Sequence, residues 1–324
     1  MITTPLKIGE LTLPHRLIQG PLAGISCAAF RGLFTDFMQP AYAVTEMISA
    51  HSMLQHHRLN PRYLAKSPQE NRWCIQLSGN DPMLLAEATQ IATSYEPDII
   101  DLNCGCPKPK IRSKGSGSAL TDDLPQLQKV IHAMRQATTL PLTVKIRVSG
   151  QSNLPTNYLQ AVKVIEQEGA DAIIVHGRHH SEGYDVKASY QQIANVVETV
   201  NIPVIANGDI LNRESLLHCL KTTQAAGFMI ARGGIGHPWI FQEMLQPNFS
   251  HSKEQSLLYF KKHLIALAAL EGCETTALLQ GRRLLKWYFP ELSAAQLANC
   301  YKILKLFQLC DKLADLILLK SNKE

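Results

Sequence analysis

Over the first 247 residues, apolar positions gather in short runs that stop at polar or glycine residues: 16–20 (RLIQG), 42–46 (YAVTE), 73–77 (WCIQL), 99–103 (IIDLN), 142–147 (LTVKIR), 172–176 (AIIVH), 203–207 (PVIAN) and 227–231 (GFMIA). Runs this short, rich in β-branched residues, read as buried strands. Most are separated by longer stretches with helical signals, at 82–95, 124–138, 157–169, 190–200 and 213–222. Alternation of this kind builds a parallel sheet. Eight repeats with no GxGxxG after the first strand predict an α/β fold of the (β/α)8 TIM-barrel type rather than a doubly wound sheet. Before it, residues 6–13 (LKIGELTL) predict a short hairpin that plugs the bottom of the barrel. Beyond Pro247 the strand runs cease, and 254–270, 275–289 and 293–319 predict three helices, the middle one bounded by Gly272 and Pro290. The expected division is a catalytic barrel domain, 1–247, followed by a C-terminal helical-bundle domain, 248–324.

In a barrel of this type the carboxyl ends of the strands carry the chemistry. Cys106 lies just past the run 99–103, in a loop punctuated by Pro107, Pro109, Gly115 and Gly117. It is therefore placed for reaction, and Cys104 for packing. Lys145 interrupts an apolar strand, points into the barrel mouth and needs an anionic partner, because buried lysines are rarely unpaired. That partner is either a reduced flavin or a carbonyl substrate held as a Schiff base. Gln76 favours the flavin, whose pyrimidine edge an amide can match. The loops Asn207-Gly208-Asp209 and Ala231-Arg232-Gly233-Gly234 supply glycines and a cation where such barrels bind phosphate.

Charge adds a partner. Residues 250–324 hold 11 Lys+Arg against 7 Asp+Glu, a surplus of 4, whereas the rest of the chain is nearly balanced at 21 against 20. A basic tail fits a polyanion. Arg282, Arg283 and Lys286 form one cluster, Lys302, Lys305 and Lys312 fall near one helical face, and Trp287, Tyr288 and Tyr301 read as core. Eight cysteines in 324 residues suit a reducing compartment rather than a disulfide framework. With no leader pattern and no membrane span, the expected location is cytoplasmic, and the expected state a monomer. The Cys104–Cys106 pair lacks a second pair at zinc spacing, so no metal is expected.

The strand-end motifs GPLAG, TEM, QLSG, DLNCGCP, VKIR, VHGR, ANGD and ARG, in this order, closely resemble those of the bacterial tRNA-dihydrouridine synthases over residues 16–239. Gly20 and Leu22 stand where that family usually has Ala and Met, and Cys27 where Asp is frequent. The resemblance implies reduction of the C5–C6 bond of a tRNA uridine, with FMN as bound carrier and NADPH as electron donor. FMN contacts would come from Pro21, Leu22, Ala23, Gln76, Lys145, His176, Asn207, Gly208, Asp209, Ala231 and Arg232, with His176 also beside the uracil. Asn103, Arg147 and Arg178 would bind the uridine, and Arg282, Arg283 and Lys286 the tRNA backbone. Cys106 would be the acid, presented on a mobile loop. The form DLNCGCP with VHGR…GY leans toward position 16 of the D-loop. Alternatives are an FMN barrel acting on a free pyrimidine, as dihydroorotate dehydrogenases do, which would need no basic tail; a Schiff-base lyase using Lys145; and a non-catalytic RNA-binding barrel.

Overall fold

The computed structural model describes residues 2–59, 61–148 and 157–318. Strands β1 (Leu6–Ile8) and β2 (Leu11–Leu13) form an antiparallel hairpin. The strands β3 (Leu17–Gln19), β4 (Ala43–Val44), β5 (Ile48–Ser49), β6 (Trp73–Ser78), β7 (Ile99–Cys104), β8 (Leu142–Arg147), β9 (Ala172–His176), β10 (Val204–Asn207) and β11 (Gly227–Ile230) all run parallel. β11 pairs with β3, and β4 pairs with both β3 and β6, which closes the ring; β5 continues the β4 position along β6. This is the expected eight-stave barrel, and every predicted run overlaps one stave.

Because strand side chains alternate, counting by two up each stave gives the inward face. At the lower level Ile18, Cys74, Ile99, Ile174 and Ile205 pack against Leu6, Ile8 and Leu13 of the hairpin. The hairpin is thus the expected plug. Two or four residues further along these strands stand Gln76, Asn103, His176 and Asn207, which with Lys145 of β8 face a cavity at the opposite end. The outward set, including Ile75, Leu102, Cys104, Val144 and Val175, joins the core beneath the surrounding helices. Cys104 is fully buried there, as its packing role requires.

The helices start on side-chain caps: Asp81 for Pro82–Thr93, Asp123 for Leu124–Ala137, Ser189 for Tyr190–Thr199 and Asn212 for Arg213–Thr223. Beyond Pro247 the described residues form four helices, Lys253–Glu271, Glu274–Tyr288, Ala294–Tyr301 and Leu306–Leu318. The single helix expected over 293–319 is broken in the middle, and its last residue lies outside the described part. The break is satisfied from the second tail helix: the Glu274 carboxylate accepts the Leu306 N–H at 2.9 Å, and the Arg282 guanidinium donates to the Ile303 carbonyl. Lys302 and Lys305 therefore sit in a turn rather than on one face with Lys312. Among the described residues no helix is long and apolar enough to cross a membrane.

Candidate active site

The upper ends of the staves surround a cavity of about 380 Å³, within the size range of small-molecule and cofactor sites. Pro21, Leu22 and Ala23 follow β3; Gln76 lies on β6; Asn103 lies on β7 and Cys106 beyond it; Lys145 and Arg147 come from β8 and His176 from β9. Asn207, Gly208 and Asp209 close β10, and Ala231 and Arg232 follow β11. All of the residues expected to hold the cofactor, together with Cys106, Asn103 and Arg147, line this one space. Gly20, just beneath, lies close under Met229: a Cβ would stand 2.8 Å from Met229 Cγ, so the methionine side chain would have to shift to admit one. Met229 itself lines the cavity, so the methyl missing at Gly20 is matched by the thioether opposite.

A chain of hydrogen bonds fixes the polar floor. Asp101, buried one level below, accepts from Gln76 Nε2 at 2.7 Å and from Thr143 Oγ1 at 2.6 Å. Asn103 Nδ2 donates to Gln76 Oε1 at 2.9 Å, so both ends of the Gln76 amide are assigned and its orientation is set. Burial raises the Asp101 carboxyl to about 6, against the pull of Thr143, Gln76 and Lys145. Lys145 Nζ donates to Asn207 Oδ1 at 3.0 Å, and Asn207 Nδ2 to the Met229 carbonyl at 2.8 Å. Burial, with Arg147 nearby, lowers Lys145 to about 8 while Asp101 holds it up. The lysine therefore keeps its proton at neutral pH, and a cation with spare donors faces the cavity.

The loop carrying Cys106 is hydrogen-bonded on both sides. Asn103 Oδ1 accepts the Gly105 and Cys106 N–H groups at 3.2 and 2.9 Å, and Arg147 Nε donates to the Gly105 carbonyl at 2.9 Å. On the other side the Cys106 carbonyl accepts from the Ser118 N–H at 3.1 Å and its hydroxyl at 3.0 Å. Asn103 thus does two jobs, ordering Gln76 with one amide atom and the cysteine loop with the other.

At the far rim, Gly208 has φ +123° and Asp209 φ +51°. A Cβ on Gly208 would stand 2.7 Å from Ala188 Cβ and 3.1 Å from the His176 ring, so this turn admits only glycine. The Asp209 carboxylate receives Arg178 at 2.6 and 2.7 Å and Arg232 at 3.0 Å. Partial burial would raise Asp209, but the Arg178 hydrogen bonds, the Ala188 N–H and the Arg232 charge outweigh it and hold the carboxyl below its usual range. Arg232 also lies 3.7 Å over the Tyr184 ring, and begins the short helix Arg232–Gly234, whose first N–H groups face no helical carbonyl. Arg178 does not line the cavity; it stands behind it, 1% exposed, with Nη1 3.1 Å from His176 Nε2. Guanidinium can only donate, so Nε2 accepts and the His176 proton sits on Nδ1. Burial, then the charges of Lys145, Arg147, Arg178 and Arg232, keep this histidine neutral.

The tail residues lie elsewhere. Arg283 and Lys286 are exposed one turn apart on the second tail helix, whereas Arg282 is turned inward to the Ile303 carbonyl. Trp287 and Tyr301, expected in the core, are 44% and 41% exposed, and only Tyr288 is buried, beside His263.

Compared with known proteins, the chain matches the family model described as dihydrouridine synthase over residues 18–310. The chain belongs to the dihydrouridine synthase family. It is 34% identical over 299 residues to a probable tRNA-dihydrouridine synthase 1 of Synechocystis sp., covering 90% of this chain and 82% of that protein. It is 33% identical over 299 residues to tRNA-dihydrouridine synthase B of Pseudomonas aeruginosa, covering 90% and 89%. Among solved structures, an old yellow enzyme homologue from Zymomonas mobilis superposes with TM-score 0.58 at 11% identity, over 78% of this chain and 94% of that one. Histamine dehydrogenase from Rhizobium sp. 4-9 gives 0.58 at 12%, over 82% and 51%. These last two share the fold.

In this dihydrouridine synthase the contacts of several site residues escape sequence reasoning. Asp101 opens the motif DLNCGCP, but its place beneath Gln76 and Thr143 shows only in the fold. Tyr184 is the tyrosine of VHGR…GY, but nothing in the loop after β9 signals that it meets Arg232. Arg62 joins the pocket loop to the tail: Nε donates to Glu46 Oε1 at 2.6 Å, and Nη1 reaches Glu271 at 2.6 Å and Gln280 at 2.8 Å. Glu46 in turn accepts the Gly24 N–H, beside Ala23 of the cavity wall. Gly236 adds a second junction, because a Cβ there would meet the Trp287 carbonyl at 2.5 Å.

Proposed function

We propose that this chain reduces the C5–C6 double bond of a uridine in the tRNA D-loop, with FMN held in the barrel mouth and NADPH as electron donor. The observation that carries the reading is the convergence, on one cavity, of an oriented amide (Gln76), a cation (Lys145), an arginine-bearing glycine turn and a half-buried cysteine, in a member of this family. The donor set fits FMN. Gln76 and Asn207 offer amide contacts to a pyrimidine edge, Lys145 compensates the negative charge that edge gains on reduction, and Arg232 with the turn at Gly208 suits the phosphate. A bound flavin supplies the hydride that uracil C6 accepts. Cys106 then gives its proton to C5, and Asn103 and Arg147 hold its loop in place to do so. Neutral His176, its tautomer set by Arg178, is an Nδ1–H donor suited to a uracil carbonyl rather than a second cation.

The uridine reaches the cavity only after leaving its stack, and backbone contacts must offset that cost. We assign these to the tail, residues 248–324, with Arg283, Lys286 and exposed Trp287 on one surface. Arg282 supports that surface from within. Lys286→Ala is expected to weaken tRNA binding and reduce the slope of log K against log salt by about one; an unchanged slope measured by filter binding would remove Lys286 from the interface. The expectation of position 16 rests on motif form, and reverse-transcription mapping of dihydrouridine in the D-loop tests it.

The purified protein should be yellow, and its NADPH oxidation should depend on unmodified tRNA. Arg232→Ala should fold normally by circular dichroism yet retain little flavin. Full retention would move the phosphate elsewhere, and a colourless wild-type protein that oxidises no NADPH would exclude the reading. A Schiff-base lyase would instead leave a borohydride-trapped adduct on Lys145.

A further inference from the structure

We propose that His237, Glu243 and His251 form a binding site for a transition-metal dication of the zinc type, which ties the end of the barrel to the start of the tail. No expectation from the sequence pointed here. The metal-free reading considered Cys104 and Cys106, whereas the spacing of these three residues becomes a cluster only after the chain folds back along Ile240–Leu245.

The ligand atoms of the three side chains all lie within 4.8 Å of one another. His237 Nε2 is 2.9 Å from one Glu243 oxygen, and His251 Nδ1 is 3.1 Å from the other. Bonds of about 2.0–2.2 Å place neighbouring ligands of a tetrahedral ion a little over 3 Å apart, so small side-chain rotations would bring both ring nitrogens and one Glu243 oxygen onto one ion. His237 Nε2 is buried and, despite its nearness to the carboxylate, makes no hydrogen bond of acceptable direction. His251 Nδ1 shares a hydrogen bond with Glu243 Oε1, whereas His237 Nε2 makes none and so is open to an ion.

The rings are also held from behind. Trp239, 1% exposed, stacks on His251 with centroids 4.2 Å apart and meets His237 edge to face at 5.4 Å. Side chains of His237, Glu243 and His251 keep 28%, 25% and 36% exposure, so an ion can enter from solvent. Two imidazoles and a carboxylate select zinc-like ions over magnesium or calcium, which prefer all-oxygen shells. Water would complete the fourth position. His251 directly precedes Ser252, the cap of the first tail helix, so the ion would anchor the connection between barrel and tail.

The test uses full-length protein freed of metal by chelator and then dialysed, with Zn²⁺ as the calorimetric probe and Co²⁺ as the spectroscopic one. Cys106→Ala/Cys273→Ser serves as background, to remove thiols that could bind zinc by themselves. One Zn²⁺ per chain is expected, with visible Co²⁺ bands, and the melting temperature should rise with Zn²⁺ by linkage. His251→Ala alters one exposed side chain and should fold; it and Glu243→Gln should each weaken Zn²⁺ binding by more than about 100-fold, beyond the loss of an outer partner. Equal binding by His237→Ala/His251→Ala, no binding by the folded background protein, or an equal response to Mg²⁺ would each overturn the site. All readouts are independent of the tRNA reaction.

Discussion

Replacing Cys106 with alanine is expected to give protein that retains flavin and is reduced by NADPH, but passes electrons to tRNA about 10²–10⁴-fold more slowly, the usual contribution of one positioned general acid. The thiol makes no hydrogen bond that the fold requires; its loop is held through backbone atoms, by Asn103 Oδ1 on one side and Ser118 on the other. Truncation should therefore leave the loop in place and remove only the proton. Cys104→Ala is the control. Its side chain faces the helical layer and is fully buried, so it should cost stability and spare the rate. Single-turnover mixing with tRNA separates the two, and a wild-type rate in Cys106→Ala would assign the proton to another donor.

The second large effect falls on stability. Arg62→Ala should lower the unfolding free energy by about 3–5 kcal/mol, the range for removing one member of a buried ion pair. Arg62 is 8% exposed, while the carboxyl side chains of Glu46 and Glu271 are 4% and 7% exposed, so both would lose a buried cationic partner. Arg62→Ala/Glu271→Gln should recover part of the loss, because one stranded charge becomes a neutral amide. Because Glu46 also holds the Gly24 N–H, the single variant should retain flavin less well. Urea titration of the apoprotein measures the first effect; a change under about 1 kcal/mol would mean that water replaces the guanidinium.

The barrel was legible because each stave is a short β-branched run with a polar end, and parallel connections send all those ends to one side. Cys106, Lys145, Gln76 and Arg232 are far apart in the chain and adjacent in space for that reason alone. What could not be read depends on distant partners. The break after Tyr301 is capped by Glu274 and Arg282, so no local glycine or proline marks it. Arg62 looks like any loop arginine until Glu46, Glu271 and Gln280 close around it. Trp287 and Tyr301 read as core in the sequence because the tail carries apolar residues on more than one face, and Leu279, Leu304 and Phe307 are likewise exposed.

Anaerobic single turnover tests the central claim most directly. The yellow protein is bleached with one equivalent of NADPH and mixed with a tRNA transcript lacking modifications, while absorbance and dihydrouridine are followed together. Colour should return at a rate set by tRNA concentration, with one dihydrouridine formed per flavin reoxidised. Bleached protein that stays reduced in the presence of tRNA, yet reoxidises with a free pyrimidine, would contradict it.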